Sequence, residues 1–299
     1  MTLDPTPSPR HHRPLHSDLL RAEKPTSQRE QDLDREEEAL KSSQVILGQQ
    51  IMEGSLALKL SGLALFLSAT SAGLDLGFSL LGVALIKTLT EGWAGGELVP
   101  RILAALMYPI GYVFVILGRS ELFTEHTTLA VLPVLNGQAT VTRLARLWAI
   151  VYAGNVTGAL LFAALFAHFG PSLHVVTEEV IVTLAHTLVD LHWSTIAVSG
   201  LLAGWLMGLL GWLVTASRDT VSQIVLIVLV TGLIGLGHLH HCIMGAAEVM
   251  AAVLVSDQIT LGDFGHFLLW TTLGNAVGGV LFVALLKYSH ISNRVSSPS

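Results

Sequence analysis

Apolar residues run through this chain in long blocks, and two of the blocks are interrupted by polar residues. Residues 57–88, 143–168, 193–216 and 262–288 are nearly continuous. Each exceeds the roughly 20 apolar residues that carry a helix across a bilayer. Residues 99–136 and 221–255 are also long enough, but each is broken in its middle. The first break reads Gly118-Arg119-Ser120-Glu121-Leu122-Phe123-Thr124-Glu125-His126, and the second reads Gly237-His238-Leu239-His240-His241-Cys242. The pattern predicts an all-α integral membrane protein of six spans, with the second and fifth broken. Three spans per half, an odd number, make the halves inverted repeats. A Gly-Asn-x-x-Gly helix follows each break, at Gly154-Asn155…Gly158 and Gly274-Asn275…Gly278. Phe123 precedes Asn155 by 32 positions and His241 precedes Asn275 by 34. Two interrupted spans at corresponding places point to a transport site near the bilayer midplane.

The chain ends read differently. Residues 1–42 hold Pro5, Pro7, Pro9, Pro14 and Pro25 among mixed charges, the composition of a disordered tail. From Arg35 to Glu53 an amphipathic helix is expected, with Leu40, Val45, Ile46 and Ile51 on or near one face. Its membrane-side part, 43–56, would lie along the bilayer surface and lead into the six-helix domain, 57–288. Residues 289–299 form a short C-terminal tail.

Composition agrees with lipid as the main solvent. Of 299 residues, 52% are hydrophobic and 13% charged, about half the charged share of a soluble domain. Mean hydropathy is +0.63. A net charge of −6 without a basic stripe argues against nucleic acid. The single cysteine, Cys242, excludes an intrachain disulfide. No signal peptide is expected ahead of the first apolar block.

Lys and Arg set the orientation. The N-terminal tail carries Arg10, Arg13, Arg21, Lys24, Arg29, Arg35 and Lys41. The second-to-third connection has Arg143 and Arg146, the fourth-to-fifth Arg218, and the C-terminus Lys287 and Arg294. The third-to-fourth connection, 169–192, has none. Both termini are therefore expected in the cytoplasm, with Lys87 and Arg101 as exceptions beside an outer loop.

The breaks carry the candidate chemistry. Unpaired backbone groups cost several kcal/mol in hydrocarbon, so a break is buried in protein or lines a wet cavity. The half-helix after it offers free N–H groups and a positive dipole end, which favour an anion without fixing it. Leu122 and Phe123 can form an apolar constriction, or simply pack. Thr124 can hydrogen-bond a solute, or bond its own helix. His238, His240 and His241 stand where histidine is expensive and functional by default. His241 is the candidate to donate to a passing weak-acid anion, and a metal site needs more ligands than this cluster offers. Glu121 can accept N–H bonds from the loop. Glu125 and Glu248 can cap the half-helices or relay protons, as can His126 and His240. Asn155 and Asn275 have amides able to bond the breaks. The glycine pairs Gly73…Gly77, Gly154…Gly158, Gly200…Gly204…Gly208 and Gly274…Gly278 suit close helix packing.

Glu121-Leu122-Phe123-Thr124, Tyr152-Ala153-Gly154-Asn155, His241 and Leu273-Gly274-Asn275-x-x-Gly278 resemble the formate/nitrite transporter family. The resemblance spans about residues 55–288 and points to a less characterised bacterial inner-membrane branch. It implies an aquaporin-like protomer with its own pore, assembled as a homopentamer in the bilayer, passing small monovalent anions or their acids. By the resemblance, Leu122, Phe123 and Thr124 form the mobile loop of the second span, His241 is the central pore histidine, and Asn155 and Asn275 are the paired helix asparagines. This chain departs from the family pattern with Glu125-His126 after Thr124, Gly245 four residues after the histidine, Gly204 before Trp205, and an apparent extra residue within Arg119-Ser120.

The expectation is a pH-dependent channel or transporter for formate-, nitrite- or hydrosulfide-like anions, with protons as possible co-substrates. No cofactor, metal or enzymatic activity is expected. The alternatives are a neutral-solute channel, a metal-dependent membrane enzyme built on His238, His240 and His241 with Glu125 or His126, and a scaffold protein with a vestigial pore. No Asn-Pro-Ala follows either break, which counts against water or glycerol.

Overall fold

The computed structural model describes residues 41–295, the side chains of 294 and 295 excepted. The expected tail therefore lies outside the described residues but for its last two positions. Thirteen α-helices and one π-helical segment appear among the described residues, with no strand.

Helix α1 spans Ser43–Ala57 and begins where the Ser42 hydroxyl accepts the Val45 N–H. Its apolar residues do not share one face: Ile46, Leu47 and Ala57 are buried, whereas Val45, Met52 and Leu56 are exposed. Tertiary packing against the following segments, not amphipathic periodicity, decides which side faces in. Span one is α2, Gly62–Leu89, which starts five residues later than the apolar block because Ser61 caps it at Ala64 N.

Span two is divided twice. Helices α3 (Leu98–Met107) and α4 (Pro109–Leu117) meet at a kink that hydropathy alone does not reveal. Pro109 has no N–H and crowds the preceding turn. Ser79 of α2 braces the kinked turn, donating to the Tyr108 carbonyl at 2.6 Å and accepting from Gly111 N at 2.9 Å. After the break come α5 (Phe123–Leu129) and the single turn α6 (Leu132–Leu135). Span three is α7, Val141–Ser172.

The third-to-fourth connection contains a helix, α8, at Glu178–Val189. Its signal was present: Thr177 caps Val180 N, and Glu178 and Glu179 fill the first turn at the positive end of the dipole. Span four is α9, Trp193–Ala216. Span five is α10 (Thr220–Leu236), the second break, and α11 (Cys242–Val255). Span six is α12, Leu261–Gly279, opened by a reciprocal Thr260–Asp263 capping box. It continues through a π segment, Val280–Leu285, into α13, Leu286–Val295, so the helix runs well past the expected end at 288. Five of these helical stretches are long and apolar enough to cross a membrane, and α10 with α11 make up the sixth.

The two halves pack by the same device. In the first, α2 crosses α7; in the second, α9 crosses α12. A methyl group on Gly73 or Gly158 would run into the backbone of the facing helix, at Asn155 and Thr70. A methyl group on Gly204 or Gly278 would do the same at Asn275 and Leu201. Close backbone approach maximises van der Waals contact where lipid supplies no hydrophobic drive. The architecture is the six-span pair of inverted repeats that the apolar pattern predicts.

Candidate functional site

The two breaks are built alike, residue for residue. Each preceding helix ends on a glycine, with Gly118 N bonded to Phe114 O at 2.8 Å and Gly237 N to Leu233 O at 2.9 Å. The next residue is left-handed in both, Arg119 at φ 57° and His238 at φ 48°. Ser120 N then bonds Val115 O and Leu239 N bonds Ile234 O, both at 3.0 Å. Glu121 N donates to Ser68 Oγ, and His240 N to Ser199 Oγ, both at 3.1 Å.

An asparagine closes each loop. Asn155 Oδ1 accepts from Phe123 N at 2.8 Å, and its Nδ2 donates to the Ala69 and Glu121 carbonyls at 2.8 Å each. Asn275 Oδ1 accepts from Cys242 N at 2.9 Å, and its Nδ2 donates to the Gly200 and His240 carbonyls at 2.8 and 2.9 Å. The true equivalents are therefore Phe123 with Cys242 and Leu122 with His241, one position away from the expected alignment. Their separations from the asparagines are 32 and 33 positions. Both breaks have the same length. The first N–H of each half-helix, expected to be free, is held by an asparagine.

Between the breaks sits a closed constriction. Thr124 Oγ1 lies 2.9 Å from His241 Nε2, and both residues are buried. His241 also caps α11, its Nδ1 accepting from Met244 N at 3.2 Å. An acceptor at Nδ1 fixes the neutral tautomer with its proton on Nε2. Nε2–H then donates to Thr124 Oγ1, which leaves the threonine hydroxyl proton available to another acceptor. Tyr112 meets the His241 ring edge-on at 5.3 Å and its hydroxyl lies 3.1 Å from that of Tyr108. Phe123 packs edge-on against Tyr152 at 5.0 Å and Trp148 at 5.9 Å. Leu122 is fully buried beside it.

Two cavities flank this constriction. One, about 380 Å³, is lined by Glu53, Arg119, Glu121, Glu125 and His126, together with Leu60 just before α2. The other, about 50 Å³, is lined by Lys87, Arg101, Tyr108, His238, His241 and Glu248. Leu60 and Lys87 bracket nearly the whole of α2, so the cavities open at opposite ends of that helix. Leu122, Phe123 and Thr124 line neither cavity.

Several expected roles are replaced. The Glu121 carboxylate receives no loop N–H; it pairs with His126 Nε2, while the His126 carbonyl accepts from Trp148 Nε1 at 3.0 Å. Glu125 stands in the first turn of α5 without bonding a backbone N–H, and Glu248 lies mid-helix in α11, so neither caps. His240 binds Ser199 Oγ through Nδ1 at 2.8 Å and the Leu188 carbonyl through Nε2 at 3.0 Å. His240 and His241 thus face different partners, and neither Glu125 nor His126 meets His240. The metal-enzyme alternative loses its ligand set; among the described residues no three His, Cys, Asp or Glu side chains converge. Gly245 leaves room for the Phe267 ring, which a side chain would displace.

Sequence reasoning missed Ser68 and Ser199, which hold the break N–H groups. A signal existed: each serine stands five positions before the glycine where its helix crosses a partner, Gly73 and Gly204. It also missed Tyr108 and Tyr112, which read as ordinary apolar filling.

The comparisons agree with this geometry. The family model described as formate/nitrite transporter matches residues 44–289. The inner membrane protein YfdC of Escherichia coli (strain K12) is 32% identical over 286 residues, covering 94% of this chain and 90% of that one. A solved FNT family ion channel superposes with a TM-score of 0.71 at 23% identity, over 85% of this chain and 99% of the other. A pentameric formate channel with formate bound superposes with a TM-score of 0.63 at 20% identity, over 77% and 98%. The structural likenesses establish the fold, and the family model and the YfdC relative fix the lineage, one of transport proteins rather than enzymes. The chain belongs to the formate/nitrite transporter family.

Proposed function

We propose that this protein conducts small monovalent weak-acid anions, of the formate, nitrite or hydrosulfide kind, through a pore that joins the two cavities by way of Leu122, Phe123, Thr124 and His241. The observation that carries the reading is the Thr124–His241 pair, 2.9 Å apart and enclosed by apolar and aromatic side chains. It offers a passing anion one hydroxyl donor in a dry setting and no permanent charge. A fixed cation would hold the anion, whereas a neutral donor lets it leave.

Acid favours passage in two ways. It protonates the solute, lowering the cost of desolvation. With the anion beside it to compensate the charge, His241 can also take a second proton at Nδ1, giving up the bond to Met244 N and making Thr124 a charge-backed donor. Tyr112 meets the His241 ring directly, and Tyr108, His238 and Glu248 share the second cavity with that histidine. Asn155 and Asn275 keep both breaks in register with the pore.

The surrounding arrangement follows the family. The protein sits in a bacterial inner membrane with both termini in the cytoplasm, α1 lies at the membrane surface, and five copies assemble. The pentamer is supported by the superposition on a pentameric channel of the same fold. Uptake of isotopically labelled formate and nitrite into proteoliposomes tests the reading, with glycerol as the neutral-solute control. A pore of this kind passes an anion and excludes glycerol; uptake of glycerol alone reverses the assignment.

A further inference from the structure

Glu248 is a pore-wall group that the transport reading leaves unused. It is 8% exposed, yet it lines the second cavity. Among the described residues its carboxylate has no hydrogen-bond or ion-pair partner. His241, Met244, Gly245 and Glu248 recur at helical spacing and all line that cavity, so they form one stripe along its wall. Seven helical positions place Glu248 about 10 Å along the axis from His241. A buried carboxylate without a partner is costly when ionised, so the position favours a proton or a ligand.

The nearby cations do not neutralise it. Lys87 of α2 faces Glu97 at 3.9 Å. Arg101 of α3 donates to the Leu236 carbonyl, at 3.2 Å from Nε and 2.9 Å from Nη2, satisfying the end of α10. The remaining titratable groups on the cavity are Tyr108, His238 and His241. Helix α8 adds only Leu184, Thr187 and Leu188. Helix α12 packs Phe267 against Gly245, and α7 brings Tyr152 toward Cys242 rather than toward the carboxylate.

We propose that Glu248 is a protonation-controlled selectivity gate for the anions this pore carries. With its carboxyl neutral, the second cavity admits a small monovalent anion and offers it an O–H donor. With the carboxylate ionised, the same cavity repels the anion before it reaches Thr124 and His241. The inference rests on the transport reading above and adds to it the residue that sets the anion's access.

The test is equilibrium exchange of labelled formate across proteoliposomes holding the full chain, with equal pH and equal formate on both sides. Glu248→Gln keeps the size and hydrogen-bonding capacity of the side chain but removes its charge at every pH. Wild-type exchange is expected to fall with rising pH; Glu248→Gln falls less steeply, by the share due to the solute and His241, so that the ratio of its rate to wild type grows by about tenfold for each pH unit above the carboxyl's titration. Glu248→Asp, which keeps the acid, is expected to follow the wild-type profile and guards against loss through misfolding. A Glu248→Gln profile that falls in parallel with wild type overturns the gate. Absence of exchange in wild type overturns the transport reading instead, and the two failures are thereby told apart.

Discussion

Asn155 and Asn275 make the same three hydrogen bonds in the two halves of the molecule. Each accepts the first N–H of a half-helix and donates to two carbonyls, one on the loop before that half-helix and one on a crossing helix. One amide therefore holds three chain segments together at a place where neither water nor regular helix can satisfy the backbone.

Removing either amide strands buried backbone groups. An unsatisfied buried donor or acceptor costs about 1–3 kcal/mol. Asn155→Ala and Asn275→Ala are each expected to lower stability by roughly 2–4 kcal/mol, as loops that lose several such bonds relax only in part. Thermal unfolding of purified protein, followed by size-exclusion chromatography, measures this. Midpoints equal to wild type in both variants would show that the loops hold their shape without the amides.

The close crossing of α9 and α12 leaves no space for a side chain at Gly204, where the Asn275 backbone stands. Gly204→Ala should therefore destabilise the fold by about 1–3 kcal/mol through overpacking. Gly48→Ala is the control, since nothing lies within 4 Å of an added methyl there. It should be neutral or slightly stabilising, by up to about 1 kcal/mol, because alanine is the better helix former. Folded yield and melting midpoint of the two variants, compared in one detergent, decide the matter.

Glu121 and His126 pair beneath the first break, with His126 2% and the Glu121 side chain 18% exposed. A double-mutant cycle with Glu121→Gln and His126→Gln should give a coupling of roughly 0.5–3 kcal/mol, the range for contacting residues, reduced toward the lower end by the partial exposure of the glutamate. Additive effects would mean that the pair contributes nothing to holding the loop.

The sequence makes the six spans, the two breaks and the inverted halves legible, because lipid imposes length and apolarity directly on the chain. Thr124, His241, Asn155 and Asn275 stand out as candidates for a related reason, since polar residues inside apolar blocks are costly; Leu122 and Phe123 stand out only through the family resemblance. What escapes is geometry that hydropathy does not encode. The kink at Pro109 is visible as a proline, but not the bracing of that turn by Ser79. Helix α8 hides in a connection too polar to read as a span, although Thr177-Glu178-Glu179 announces its start. The one-position shift that pairs Leu122 with His241 follows from which N–H each asparagine accepts, and counting residues does not supply that. The partners of Glu121, His126 and His240 are set by side-chain directions that emerge only when the helices pack.

The most direct measurement is uptake of labelled formate and nitrite by proteoliposomes at acidic and neutral pH, for wild type and His241→Asn, with glycerol alongside. The pore described above predicts acid-stimulated uptake of at least one anion, little glycerol uptake, and a reduced acid stimulation in a His241→Asn protein that remains folded, the remainder coming from the solute and from Glu248. Well-folded wild type that takes up no anion above empty liposomes, or a His241→Asn variant with an unchanged pH response, would contradict it.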